Sequence, residues 1–237
     1  MPDLDRFLKP QEKHYKNALK EISNGKKDTC WMWYIFPQII GLGMTNKSEY
    51  YGIKNIDEAI EYLNNDILGP RLVEISKILL ELDDNTDINE VMDFPDNLKL
   101  KSSMTLFKKA EEKSVIKFDN IFQKVLDKYY NGEEDQKTLD ILNSQDKKNI
   151  IDNKTKEFKE QNTEDSEDEN DDKDNNSKME LEKIKNEIVS DKDKLNENKD
   201  ENVTKDNNEV EDNKDAKDDK NKKSCYNWFK NNLCEII

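Results

Sequence analysis

Residues 30–38 read Cys30-Trp31-Met32-Trp33-Tyr34-Ile35-Phe36-Pro37-Gln38 and contain two of the three tryptophans of the 237-residue chain. A large aromatic side chain removes roughly 150–250 Å² from water when it is buried, so this cluster must lie in a core or form an exposed apolar patch. We therefore expect Trp31, Trp33 and Phe36 in the interior. Hydrophobic periodicity does not separate a short strand from a short helix here. The helical patterns on both sides favour a short helix that ends at Pro37.

The composition divides the chain into three parts. Hydrophobic residues make up 33% and charged residues 39%, with a mean hydropathy of -1.12, which is too polar for one core to include every residue. All six glycines and all five prolines precede residue 133. We predict a helical domain over residues 1–145 and a disordered linker, rich in Asp, Glu, Lys and Asn, over residues 146–220. Residues 221–237 form a third segment, and a weak helical or coiled-coil pattern covers residues 179–195.

The charge and the cysteines exclude several classes of protein. The net charge of -15 and the absence of a basic stripe argue against a nucleic-acid partner. The three cysteines lack the paired spacing of a zinc site, and we predict neither a metal nor a cofactor. The chain begins without a secretory signal and has no apolar run of the ~18 residues that span a membrane, so we expect a cytoplasmic protein, with a monomer favoured.

Apolar residues at helical spacing predict an all-α domain of six or seven helices with short connections. One helix is expected from Pro10, where proline fits the first turn, to Asn24-Gly25. Asp57 is the expected cap of a later helix, and another helix begins at Gly69-Pro70. The last amphipathic helix covers residues 118–132.

Four segments resemble the family called domain of unknown function 1810 over about residues 3–143. They are residues 31–38, Gly41-Leu42-Gly43, Leu68-Gly69-Pro70-Arg71-Leu72 and Lys99-Leu100-Lys101-Ser102-Ser103-Met104-Thr105-Leu106-Phe107. The resemblance implies a compact all-helical domain and implies no known activity. One departure is Cys30, which stands where the family usually has histidine before its Trp-Met-Trp. Any chemistry of that histidine in relatives is therefore in question for this chain.

Five polar residues in these segments are candidates for a binding site. They are Gln38, Arg71, Lys99, Ser102 and Ser103. On the structural interpretation, they satisfy loop carbonyls, because buried polar groups need hydrogen-bond partners. On the functional interpretation, they form a concave site for a small anionic or nucleotide-like ligand. Lys99 or Arg71 would contact the anion, the two serines would donate hydrogen bonds, and Trp31 or Trp33 would form an apolar wall.

The sequence does not separate a binding module from an enzyme acting on a phosphate-bearing small molecule. No P-loop, dinucleotide fingerprint or nucleophile elbow is present. The sole histidine, His14, has polar neighbours and is expected to be a solvated surface residue, which nearly excludes a serine–histidine triad. A protein–protein interaction module without a lipid is the third alternative.

The last four residues, Cys234-Glu235-Ile236-Ile237, match a C-a-a-X box and predict prenylation of Cys234. One lipid gives reversible membrane binding, so Cys225 is a candidate for palmitoylation as the second signal. Nearby lysines are expected to face anionic lipid. We expect the protein on the cytoplasmic face of a membrane. The structural alternative is a C-terminal helix that docks back on the domain.

Overall fold

The computed structural model describes residues 3–163 of the chain, with side chains as far as residue 157. The described residues form nine helices and one isolated parallel bridge between Ile39 and Ile53, so the predicted all-α fold is confirmed. The helices are α1 (Asp5–Ser23), α2 (Met32–Ile35), α3 (Asn46–Tyr50), α4 (Ile56–Asn64), α5 (Leu68–Glu81), α6 (Ile88–Val91), α7 (Asp96–Lys113), α8 (Ile121–Tyr130) and α9 (Gln136–Thr163).

The described part of the chain forms two units, one ending at Leu142 and one beginning at Asn143. The predicted boundary at residue 145 lies within α9, which continues to Thr163. The rest of the predicted linker, including residues 179–195, and the whole segment 221–237 lie outside the described residues. Among the helices that the structure describes, none has the length and apolar character needed to cross a bilayer.

The aromatic segment lies at the centre of the first unit. Trp31 and Phe36 have no exposed surface, and their ring centres are 6.2 Å apart. Trp33, which was also expected in the interior, is only half-buried. The reason is helical geometry: at 3.6 residues per turn, side chains two residues apart point to nearly opposite sides of a helix. Helix α2 therefore directs Trp31 into the core and Trp33 towards the surface.

Helix α1 runs without interruption from Asp5 to Ser23, so the predicted helix start at Pro10 is wrong. Proline in the interior of a helix removes one backbone hydrogen bond and costs about 3 kcal/mol. Packing along the helix offsets that cost, because α1 buries one face against the core. The buried apolar residues of that face are Phe7, Tyr15, Ala18 and Ile22.

The loop before α2 is held by the carboxylate of Glu21, which is buried. It accepts hydrogen bonds from the backbone N–H of Asp28 at 2.8 Å and of Thr29 at 3.0 Å, from the Thr29 hydroxyl at 2.6 Å and from the Trp31 indole at 2.8 Å. Burial alone would raise the pKa of Glu21, but the hydrogen bonds from Thr29, Asp28 and Trp31 outweigh it and hold that pKa below its ordinary value. A single charge on α1 thus fixes the entry to α2.

A second buried charge orients the segment that leads into α4. Arg6 and Glu58 form an ion pair at 2.9 Å with 6% and 2% of their side chains exposed. Arg6 also donates to the carbonyl of Gly52 at 3.0 Å, and Glu58 accepts from the backbone N–H of Lys54 at 2.6 Å. These bonds join residues 52–58 to α1.

Candidate anion-binding site

Two lysines from different helices lie over the ring of Trp33. The ammonium nitrogen of Lys99, in the first turn of α7, is 4.8 Å from the ring centre. The ammonium nitrogen of Lys47, in α3, is 5.4 Å from the same point. A cation over an indole gains about 0.5–1 kcal/mol where solvent reaches it and about 2 kcal/mol when it is desolvated. Both ammonium groups therefore lie within 5.4 Å of the centre of one indole ring.

Trp33 also lines a shallow pocket that is open to solvent and encloses about 10 Å³, the room of about one water molecule. Its other lining residues come from the segments on either side of the Ile39–Ile53 bridge: Gln38, Ile39, Leu42, Gly43, Ser48, Tyr51 and Gly52. The N–H of Ile53 donates to the carbonyl of Gln38, and the N–H of Ile40 donates to that of Ile53, each at 2.8 Å. Pockets for drug-sized ligands contain roughly 300–1,000 Å³, so this one is a small surface depression that does not enclose a ligand.

Lys47 is positioned by the N-terminal cap of α3. The hydroxyl of Thr45 accepts from the N–H of Ser48 at 3.1 Å, and the hydroxyl of Ser48 accepts from the N–H of Thr45 at 2.9 Å. This capping box holds the short helix that carries Lys47. Burial lowers the pKa of Lys47 to about 8. Most of the Lys47 side chains are still charged at neutral pH, but that charge has lost part of its hydration.

Lys99 forms an ion pair with Asp96. The Lys99 ammonium is 2.8 Å from one carboxylate oxygen of Asp96, and the Lys27 ammonium is 2.6 Å from the other. Burial would raise the pKa of Asp96, but the charges of Lys27 and Lys99 outweigh it and hold that pKa below its ordinary value. An anion that approaches Lys99 therefore competes with Asp96 for the Lys99 ammonium. When the anion binds, Asp96 keeps its ion pair with Lys27.

The structure brings together three of the seven residues that the sequence proposed for a site. Lys99 lies over Trp33, and Gln38 lines the same pocket as Trp33. Trp31 has no exposed surface, and its indole N–H is bonded to Glu21.

The other three residues do not line this pocket. Ser102 is buried and donates to the carbonyl of Leu98 at 3.1 Å, one turn back in α7, whereas Ser103 is completely buried. Arg71 projects from α5 towards α1. Its guanidinium is 5.0 Å from the centre of the Tyr15 ring and donates to Gln11 at 3.4 Å.

Sequence comparison identifies the family of the first unit. The family described as "Protein of unknown function (DUF1810)" matches residues 1–142. The chain belongs to the DUF1810 family. The crystal structure of the conserved hypothetical protein Rv1873 from Mycobacterium tuberculosis is 40% identical in sequence and has a TM-score of 0.55. The match covers 59% of this chain and 96% of the mycobacterial chain, and no curated protein matches.

The DUF1810 match ends at the residue where the first unit ends, Leu142, so the Trp33 pocket belongs to the DUF1810 domain. The resemblance inferred from the four sequence segments is thereby confirmed. Neither the description of the family nor that of the mycobacterial protein names an activity.

The sequence did not indicate Lys47, Ser48 or Tyr51 of the DUF1810 domain as site residues. Residues 46–48 belong to the short helix α3. The available signal was Thr45 followed three residues later by Ser48, a spacing that suits reciprocal capping of a helix start.

The prediction that His14 is a solvated surface residue is wrong. His14 is half-buried, and its Nδ1 lies 2.8 Å from the hydroxyl of Tyr34. Burial and the neighbouring charge of Lys13 lower the pKa of His14. Its position follows from the packing of α1 on α2, which polar neighbours in sequence did not reveal. His14 does not line the Trp33 pocket.

The side chains that line the Trp33 pocket limit the chemistry it can support. Among the described residues that line it, none is a carboxylate, an imidazole or a thiol, the usual general bases. The hydroxyl of Ser48 is engaged in the cap of α3, where it donates to the carbonyl of Thr45 at 2.8 Å. Residues 3–163 also contain no cluster of three or more His, Cys, Asp or Glu residues that would hold a metal. The lining offers the indole of Trp33 and the amide of Gln38, and the ammonium groups of Lys47 and Lys99 lie near the same indole.

Proposed function

We propose that the DUF1810 domain of this chain is a binding module for a small anionic group, of which phosphate is the prototype. One observation carries the proposal: the ammonium groups of Lys47 and Lys99 lie 5.4 Å and 4.8 Å from the centre of one half-buried indole, that of Trp33, at a solvent-open pocket. Two cations near each other repel, and an anion between or beside them relieves that repulsion.

Three features of the pocket select the kind of anion. The pocket encloses only about 10 Å³, so an anion would lie at its mouth and most of a nucleotide would lie in solvent. Gln38 at its wall is a neutral hydrogen-bonding side chain. The reduced pKa of Lys47 means that a bound anion restores stabilisation that the ammonium lost on burial. An enzyme acting on a phosphate-bearing molecule is the alternative function, with Lys47 as its candidate base because its pKa is about 8. We propose the binding module because the lining contains no carboxylate, imidazole or thiol.

A thermal-shift assay tests the site. The full chain is heated with inorganic phosphate, glycerol phosphate or ATP, as wild type and as Lys99→Ala. The control is Lys101→Ala, because Lys101 is on the same helix, pairs with Glu133 at 3.1 Å and lies 5.8 Å from the ring of Tyr130. At ten times the Kd a ligand stabilises the folded state by about 1.4 kcal/mol.

The proposal predicts that phosphate and glycerol phosphate raise the Tm of the wild type and of Lys101→Ala but not that of Lys99→Ala. Equal stabilisation of all three proteins, or stabilisation of none, would overturn the site. ATP is expected to stabilise the wild type no more than glycerol phosphate does, because most of the nucleotide would lie in solvent.

We further propose that the chain is tethered to the cytoplasmic face of a membrane by a prenyl group on Cys234, with palmitate on Cys225 as the second signal. Both cysteines lie outside the described residues, and the support is sequence alone. With Ile237 as the last residue, Cys234 occupies the modified position of a C-a-a-X box, and a terminal residue similar to leucine favours geranylgeranyl over farnesyl. A single prenyl chain binds reversibly, which is why a second signal is required.

Fractionation and mass measurement test the tether. In eukaryotic cells the wild type is expected in the membrane fraction, Cys234→Ser in the cytosol, and Cys225→Ser divided between the two. The intact mass of the membrane form is expected to show loss of the last three residues and gain of a prenyl group and a methyl ester. Cys234 without a prenyl group, with Ile237 still in place, would contradict this part of the proposal and leave the anion site untouched.

A further inference from the structure

We infer that helix α1 lies against an anionic lipid bilayer through a row of four exposed lysines. The inference rests on the proposed C-terminal tether and adds the surface of the DUF1810 domain that meets the membrane. This lysine stripe consists of Lys9, Lys13, Lys16 and Lys20.

Helical geometry places the lysine stripe on one side of α1. Its members are spaced by four, three and four residues, which matches the 3.6-residue turn and gives a row roughly 16 Å long. Each lysine is two residues from a buried residue of α1, and side chains at that spacing point to nearly opposite sides. These buried residues are Phe7, Gln11, Ala18 and Ile22. The lysine stripe therefore faces away from the core, contrary to the expectation that the chain has no basic stripe.

Little negative charge offsets the lysine stripe. Among the residues whose side chains the structure describes, Lys9 pairs with Asp5 at 3.3 Å, and this ion pair is exposed. No carboxylate pairs with the other three lysines in that part of the chain. The exposed carboxylate of Glu12 lies beside the stripe, directly before Lys13. Charges more than about 8 Å apart are largely screened at physiological ionic strength, so the stripe acts locally despite the net charge of -15.

The composition of this face suits a diffuse anionic surface. Protein interfaces depend on a few buried aromatic or apolar anchors. Among the described residues, no large apolar side chain that is exposed lies on α1. Lysine is also a point charge without the planar fork that arginine offers to a single carboxylate or phosphate. A row of lysines without an anchor therefore matches the surface charge of anionic lipids, which requires no directed contact.

A tether makes these weak contacts sufficient. A single prenyl chain binds a membrane reversibly, and a basic patch is one of the second signals that make anchoring stable. A tethered domain stays close to the bilayer, so its lysines act at a high effective concentration. A nucleic acid in solution lacks that advantage, and the bilayer is therefore the partner that the lysine stripe fits.

Flotation with vesicles tests the stripe on the full chain purified without any lipid modification. Vesicles of phosphatidylcholine alone are compared at low ionic strength with vesicles that also contain phosphatidylserine. The stripe variant combines Lys13→Gln, Lys16→Gln and Lys20→Gln. The control variant changes the net charge equally at exposed lysines of α5, α8 and α9, by Lys77→Gln, Lys124→Gln and Lys137→Gln.

We expect binding to the phosphatidylserine vesicles only. A lysine near an anionic surface contributes about five-fold in affinity, so the stripe variant should bind about a hundred-fold more weakly and the control variant nearly as well as the wild type. Glu12→Gln removes a negative charge beside the stripe and should strengthen binding, which loss of folding cannot do. Glu61→Gln, at an exposed carboxylate of α4, should leave binding nearly unchanged.

The outcomes separate this inference from the proposed tether. Equal weakening by the stripe variant and the control variant, or no preference for phosphatidylserine, would overturn the inference and leave the tether untouched. Stripe-dependent binding to a DNA duplex that is tighter than binding to vesicles would assign the stripe to nucleic acid and also overturn it. Stripe-dependent vesicle binding by a chain whose Cys234 carries no prenyl group in cells would keep the surface and overturn the tether.

Discussion

The indole N–H of Trp31 donates a 2.8 Å hydrogen bond to Glu21, and this bond links the most buried aromatic residue of α2 to a charge on α1. The same carboxylate also holds the backbone of Asp28 and Thr29, so one acidic group organises the loop and the start of α2 together. Trp33 lies on the other side of α2, at the surface. The structural role and the proposed binding role of the aromatic segment are therefore carried by different tryptophans.

Replacement of Glu21 by glutamine should destabilise the first unit by about 2–3 kcal/mol, because the amide has one acceptor oxygen and its NH₂ group meets the same donors without a partner. The measurement is the free energy of unfolding in urea. Glu12→Gln is the matched control, since Glu12 is an exposed residue of the same helix. A loss of less than about 0.5 kcal/mol for Glu21→Gln, equal to that of the control, would contradict the role of this carboxylate.

The pH dependence of the free energy of unfolding should also report the carboxylate of Glu21. The pKa of Glu21 is lowered in the folded state. Its stabilising contribution is therefore complete above the unfolded-state pKa, about 4.3, and is lost as the pH falls through the lower folded-state pKa. Stability measured across the acid range should fall less steeply for Glu21→Gln than for the wild type. Parallel curves for the two proteins would show that Glu21 does not titrate as inferred.

The two tryptophans should respond differently to the same substitution. Trp31→Phe is expected to cost about 2–4 kcal/mol, because it leaves a cavity and removes a donor from Glu21. Trp33→Phe is expected to cost less than about 1 kcal/mol, because its ring is half-exposed, and to weaken phosphate binding, because phenylalanine binds cations less well than indole. Urea denaturation and calorimetric titration measure the two effects. A larger stability loss for Trp33→Phe than for Trp31→Phe would contradict the structural role assigned to Trp31.

The sequence predicted the all-α fold because amphipathic periodicity is strong in the long helices. It misplaced helix starts and caps that depend on tertiary packing. Pro10 signals a helix start on local grounds, yet α1 continues through it because its buried face offsets one lost hydrogen bond. The expected cap Asp57 is also wrong: Asn55 is the N-cap of α4, and its side chain accepts from the N–H of Glu58.

The candidate site was predicted only in part, because its residues come from the short helices α2 and α3, the first turn of α7 and two loops. Lys99, Trp33 and Gln38 were indicated by their motifs, but nothing in the sequence showed that Lys47 lies over Trp33. Arg71 belongs to a motif of the same family and faces α1 instead. A polar residue in a family motif can serve either packing or ligand binding. Only the three-dimensional arrangement distinguishes these two roles.

Limited proteolysis tests the predicted domain organisation. The composition after residue 145 predicts that protease-resistant sequence ends before about residue 175. The DUF1810 match to residue 142 and the end of α9 at Thr163 bracket the expected position of the last cleavage. Mass spectrometry of the resistant fragment gives its C-terminus. A fragment that extends beyond about residue 175 would contradict the predicted boundary.

Phosphate affinity should decrease at alkaline pH. The pKa of Lys47 is about 8, so its charge is lost as the pH rises through that value. Between about pH 7.5 and about pH 9.5 we expect a several-fold loss of affinity in calorimetric titrations. In Lys47→Arg the loss should disappear, because arginine remains charged. The same loss in Lys47→Arg would assign the pH dependence to another group.

The titration of Lys47 itself, followed by NMR of its side chain with and without inorganic phosphate, tests the anion site most directly. Without phosphate we expect an apparent pKa of about 8, lowered by burial beside Trp33. Saturating phosphate should raise that pKa, because an anion that prefers the charged ammonium must stabilise the protonated form by linkage. A Lys47 pKa that is unchanged by saturating phosphate would contradict the account.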